Sequence, residues 1–199
     1  MDEIQRFIGD LVGPLLPNAD VARRHLPAEA EFDAKSGALR IDRRPKIAPE
    51  AYCLVLYPGI SERDQDRYRD IQVANRRGPI PAIAPEYKAI LAHLNGAFLF
   101  QASLFGIPRS MLRTPPLLDR STLQPIDLLS SNIQSRYGAD PGLFHFGAGP
   151  FTDTENVGYF CDAGRVKAYL RGGRLLHEYA SFREFFTEEL MRLKSIYPG

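Results

Sequence analysis

Four carboxylates, Asp153, Glu155, Asp162 and Glu178, fall close together in the last third of this chain, with His145 a short way upstream. Carboxylates grouped with a histidine are what general acid–base chemistry uses, one group giving a proton while another takes it. The same charges sit among Gly and Asp turn signals, where solvated side chains or contacts to a basic partner are the simpler outcome. An enzyme site assembled around Asp153, Glu155, Asp162 and His145 in a sheet concavity is therefore the alternative reading. The four histidines, His25, His93, His145 and His177, do not pair with one another or with cysteine at ligand spacing, so neither metal nor cofactor is expected. Nucleophilic catalysis has no Gly-x-Ser-x-Gly elbow to rest on, and Cys161, between an apolar run and Asp162, reads as a small buried or turn-edge residue. The glycines of Phe146-Gly147-Ala148-Gly149-Pro150 are followed by Asp153 and Glu155 instead of a Lys-bearing helix, so a bend between strands is expected there and not a phosphate loop. Arg165, Lys167, Arg171 and Arg174 bracket one hairpin, where basic side chains ordinarily discourage edge pairing.

The elements that must position these groups follow from periodicity and turn chemistry. Ile4, Phe7, Ile8, Leu11 and Val12 predict a short amphipathic helix stopped by Gly13-Pro14. A Ser36-Gly37 turn between short alternating stretches and a strand from Tyr52 to Tyr57 complete an N-terminal extension, residues 1–59. Ser61 to Asn75 is charge-rich and reads as a mostly exposed helix, with Tyr68, Ile71 and Val73 as its few apolar positions. Pro85 starts a stronger helix with Tyr87, Ile90, Leu91 and Leu94 on one side, closed by a left-handed residue at Asn95-Gly96. Strands are expected at Ala97–Phe100 and Ser103–Ile107, a loop at Pro108–Gln124, and a helix opened by Pro125. Four strands then follow at Leu143–Phe146, Val157–Cys161, Arg165–Leu170 and Arg174–Tyr179, with Asp162-Ala163-Gly164 and Gly172-Gly173 as turns of an antiparallel meander. Ser181 and Glu184 form a capping box for a last helix whose apolar face is Phe182, Phe185, Phe186, Leu190 and Leu193.

Composition narrows the function classes. With 25 basic against 24 acidic residues the net charge is +1, so no broad field draws the chain to nucleic acid or a membrane surface. Twelve Phe and nine Tyr without Trp suit a packed core better than a base-stacking platform. Two cysteines far apart indicate neither a disulfide framework nor zinc. The N-terminus lacks the basic and apolar regions of a signal peptide, and the longest apolar run, Ala51 to Tyr57, is too short to span a bilayer, so a cytoplasmic chain is expected.

One ordered series adds to this. Ile80-Pro81, Tyr87, Ile90-Leu91, Asn95-Gly96, Phe146-Gly147, the aromatic run Tyr159-Phe160-Cys161 before Asp162-Ala163-Gly164, and Ser181-Phe182-Arg183-Glu184-Phe185 together resemble the SUKH superfamily. This is the clan of the yeast cell-wall assembly regulator and of many bacterial toxin-immunity proteins. The resemblance runs from Ile60 to Tyr197 and leaves residues 1–59 outside it, so residues 60–199 are expected to form a SUKH-like domain. It implies an α+β fold, a curved antiparallel sheet packed with helices, and action by protein binding without cofactor or catalytic residue. The expected role is an immunity-type protein that neutralises a cognate polymorphic toxin by direct docking, with a wall or envelope regulatory scaffold as the alternative. Loops at one end of the sheet carry the expected partner-binding residues, Thr152, Asp153, Glu155, Arg109 and Arg113, because loops on a rigid scaffold are where recognition concentrates.

Overall fold

Nine short strands, each paired with its neighbours in sequence, make one open antiparallel sheet in the order β1 to β9. The computed structural model describes residues 30–33, 38–42, 53–75, 82–99, 102–112, 124–134, 137–152 and 154–196. The expected helix at residues 4–12, the Ser36-Gly37 turn, Ile80-Pro81, His25, Asp153 and Arg113 lie outside them. The strands are β1 (Ala30–Asp33), β2 (Ala38–Asp42), β3 (Cys53–Pro58), β4 (Leu94–Leu99), β5 (Ala102–Leu104), β6 (Phe144–Pro150), β7 (Asn156–Asp162), β8 (Arg165–Leu170) and β9 (Arg174–Tyr179). The strands upstream of Gly59 are continuous with the rest, since Val55 pairs with Phe98 and Leu56 with Ala97. Packed with the sheet are α1 (Glu62–Asn75), α2 (Pro85–Leu91), α3 (Leu128–Gln134) and α4 (Phe182–Ile196), so the architecture is α+β. Among the described residues no helix is long and apolar enough to cross a membrane.

Local chemistry accounts for the helix ends. Ser61 caps α1 by accepting from the Asp64 amide, and Glu62 and Asp64 place negative charge in its first turn. Its charged side is exposed as expected. Its inner side, however, is built from Gln65, Tyr68 and Gln72, all buried, while Val73 faces solvent. The Tyr68 hydroxyl donates to Asp127 and accepts from the Leu129 amide, which is why a tyrosine can be fully buried there. α3 begins at Leu128 and not at Pro125, because the Asp127 carboxylate accepts from the Ser130 amide at 2.7 Å and so caps the helix.

Asn95-Gly96 does not close α2. That helix ends at Leu91 with Ala92 still right-handed, and Leu94, Asn95 and Gly96 already belong to β4. The left-handed residue is there, with Gly96 at φ +82°, but its partner is distant in sequence. A Cβ on Gly96 would lie 2.8 Å from the Leu104 carbonyl oxygen, and one on Gly106 would lie 2.3 Å from that of Asn95. Two backbones meet here at a separation only glycine permits. The Asn95 amide completes the seam, accepting from the Ile107 N–H at 2.8 Å and donating to the Ile107 carbonyl at 2.9 Å.

The expected bend at Gly147–Pro150 is instead the second half of β6, since β5 and β7 both supply ladder partners along it. The hairpins downstream match expectation. Ala163 and Gly164, at φ 47° and 84°, form the two-residue turn between β7 and β8, and Gly172-Gly173 turn β8 into β9. Ser181 caps α4 through the Glu184 amide, while the Glu184 carboxylate accepts from the Ala180 N–H, one residue before the usual capping-box donor. α4 buries Phe182, Phe185, Phe186 and Leu193 against Tyr87, Phe146 and Tyr159 of the main core. Each such side chain contributes about 1.5–3 kcal/mol of transfer free energy. The opposite face of β6 and β7 carries a smaller core, in which His145 stacks on Phe160 at 4.4 Å.

Candidate functional site

Between α4 and strands β7 to β9 lies an open cleft of about 340 Å³. Val157 and Ala168 form its buried floor, Tyr159 and Tyr179 its inner walls, and Phe151, in the connection from β6 to β7, also lines it. Leu176, His177 and Glu188 stand at its rim.

Glu189, a buried acid, and Arg192 complete its lining. Glu189 occupies the inward stripe of α4, three and four residues after Phe186 and Phe185 and four before Leu193, a position the helical period reserves for apolar side chains. Its carboxylate accepts four hydrogen bonds. The Tyr159 hydroxyl donates to Oε1, and the Tyr179 hydroxyl donates to Oε2 at 3.2 Å. Arg192 donates from Nε to Oε2 at 2.7 Å and from Nη2 to Oε1. Nη2 also reaches the Pro150 carbonyl at 2.7 Å, so the network ties α4 to the end of β6. Burial raises the titration of both tyrosines, and the Glu189 charge beside them raises it further. The hydrogen bond to Glu189 likewise pushes the Arg192 guanidinium up. A carboxylate offers about four lone-pair sites. All are taken here, by Tyr159, Tyr179 and Arg192. The sequence reading missed this group, and its signal was an acid on an apolar helical stripe.

The rim is softer. His177 Nε2 stands 3.7 Å from Glu188 Oε2, each side chain half exposed. Arg174 through Glu178 are all exposed in β9, and Leu175 and Leu176 show 47% and 37% of their surface. A bulge near Leu176 interrupts the β8–β9 register, a feature that discourages a terminal strand from adding another.

The described members of the expected interface, Thr152, Glu155 and Arg109, divide between two places. Thr152 and Glu155 are exposed beside Phe151 and the cleft. Thr152 Oγ1 accepts from the Glu155 amide at 3.0 Å, and the Glu155 carbonyl accepts from the Phe151 amide at 2.7 Å, so this connection is braced by its own bonds. Arg109 is exposed in the 3-10 turn Arg109–Leu112, and its amide donates to Gln124 Oε1. It follows the end of β5, whereas Thr152 follows the end of the antiparallel β6, so the two lie at opposite ends of that pair and not together at one end.

Nor are Glu155, Asp162 and His145, the described residues of the enzymatic alternative, brought together. Glu155 precedes β7 and Asp162 ends it, which separates them by roughly 23 Å along the strand. His145 is buried among Phe105, Tyr137 and Phe160 on the face away from the cleft. Asp162 instead accepts from Lys167 at 2.6 Å, and that bond holds its carboxyl below the usual range. Arg165 pairs with Glu178 at 2.7 Å, so two residues of the basic hairpin are already paired with acids. Burial pushes the Cys161 thiol up to about 11, which keeps it protonated and a poor nucleophile at neutral pH. Among the described residues no group of three or more His, Cys, Asp or Glu is placed to hold a metal ion. Comparison with protein-family models, with curated proteins and with solved structures found no match to this chain.

Proposed function

We propose that this chain is a non-enzymatic protein-binding domain and, at finer grain, a bacterial immunity-type protein that docks on a cognate toxin in the cytoplasm. The observation that carries the reading is the saturation of Glu189 by Tyr159, Tyr179 and Arg192 within the lining of the cleft. A buried acid held by four donors braces a surface; a catalytic acid or base needs an open position toward its substrate. The braced turn Phe151–Glu155 and the exposed side chains of β9 flank the cleft and give a partner a rigid, mixed polar and apolar surface. The toxin-directed part of the reading rests on the SUKH-like motif series.

The test is co-expression of the tagged chain with the products of neighbouring genes in its source genome. The expected result is recovery of one neighbour-encoded toxin in a complex that survives purification, together with suppression of its lethality. Lethality suppressed without any complex would overturn direct docking. The absence of both with every neighbour would overturn the immunity role.

A further inference from the structure

Asn95-Gly96 is the single Asn-Gly in the sequence, and the binding surface makes no use of it. Asn-Gly is the dipeptide in which an asparagine side chain is most open to attack by the next backbone nitrogen, because glycine places no Cβ in the way. The Gly96 nitrogen forms a bond to Asn95 Cγ, the Cγ–Nδ2 bond breaks, and Nδ2 leaves as ammonia, taking the Gly96 amide proton. Water then opens the five-membered imide at either carbonyl, giving aspartate or isoaspartate.

In the native fold this reaction is held off by named contacts. Asn95 is 2% exposed. Both polar atoms of its side chain are engaged, Oδ1 by the Ile107 N–H at 2.8 Å and Nδ2 by the Ile107 carbonyl at 2.9 Å. Gly96 is fixed at φ +82° against Leu104 and Gly106. The same contacts make the product intolerable. An aspartate at position 95 keeps an acceptor for the Ile107 N–H but turns a second, charged oxygen toward the Ile107 carbonyl oxygen, acceptor against acceptor, in a buried site.

We propose that Asn95-Gly96 is a latent deamidation site gated by the fold: silent while the seam between β4 and Gly106-Ile107 is closed, and, once the seam opens, converted to a product that prevents reclosure. Opening of this kind is a local event with its own free energy, distinct from global unfolding.

The test incubates the full-length protein in native buffer and in denaturing urea, beside a synthetic peptide spanning residues 92–99, and follows the one-dalton gain at Asn95 by peptide mass spectrometry. Deamidation of the native protein is expected to be roughly tenfold or more slower than that of the peptide, and urea should remove the difference. Equal rates in native protein and peptide would overturn the gate. Asn95→Asp tests the second half. It should lower Tm at neutral pH, and the deficit relative to wild type should shrink in acid, because a protonated carboxyl regains the donor for the Ile107 carbonyl. A deficit unchanged with pH, or none, would overturn the claim that the product's charge blocks closure.

Discussion

Glu189 and Asp162 are both paired acids, yet they sit in different settings and should behave differently. Replacing Glu189 by alanine leaves the buried Tyr159 and Tyr179 and the partly buried Arg192 without their shared acceptor. The expected loss is about 3 kcal/mol, the range for breaking a buried pair from one side. Tyr159→Phe removes one donor and should cost about 1 kcal/mol. Urea unfolding at neutral pH checks both, and Glu189→Ala costing no more than Tyr159→Phe would contradict the bracing role. Asp162 is more exposed, and the Lys167 hydrogen bond holds its carboxyl below the ordinary value. A depressed folded-state value contributes stability above the unfolded value and loses it as pH falls through the folded one. Asp162→Asn should therefore lower Tm at neutral pH, with the gap to wild type closing in acid. A gap that widened on acidification would contradict that pairing.

At the scale of the elements, the β7–β8 turn offers a clean substitution. Gly164 has φ +84°, and a Cβ there would meet only ordinary contacts with Glu86, so strain and not collision sets the cost. Gly164→Ala is expected to lose about 1 kcal/mol, the left-handed penalty less the stabilisation that comes from a lower entropy of the unfolded chain. Any partner binding should persist once the variant is folded, and thermal melts with a binding assay separate the two. This turn, the strands β7 to β9 and the start of α4 were legible in the sequence because their signals are local: paired glycines, alternation, and a serine three residues before a glutamate. Asn95-Gly96 misled for the opposite reason. It has the local signature of a helix end, whereas what fixes it is Gly106 and Ile107, about ten residues downstream. Pro125 likewise looked like a helix start, and the Asp127 cap overrode it. Tyr68 looked peripheral on a charged helix until Asp127 and Leu129, some sixty residues away, supplied its partners.

At the scale of the molecule, the nine strands among the described residues form one continuous sheet, so β1 to β3, upstream of Gly59, share a scaffold with the cleft-bearing half. Its α+β class was legible from the order of strand and helix patterns. The cleft was not, because its floor, walls and rim come from β7, β8, β9 and α4 and meet only on folding. A protein that works by docking consumes itself one for one, while an enzyme turns over. The decisive measurement is a titration of the purified chain into a fixed amount of the active toxin recovered by co-expression, with residual toxin activity read after equilibration. Complete inhibition at one equivalent, unchanged by longer incubation, is the predicted result. Time-dependent inactivation by a small fraction of an equivalent would contradict the account and mark the chain as a catalyst.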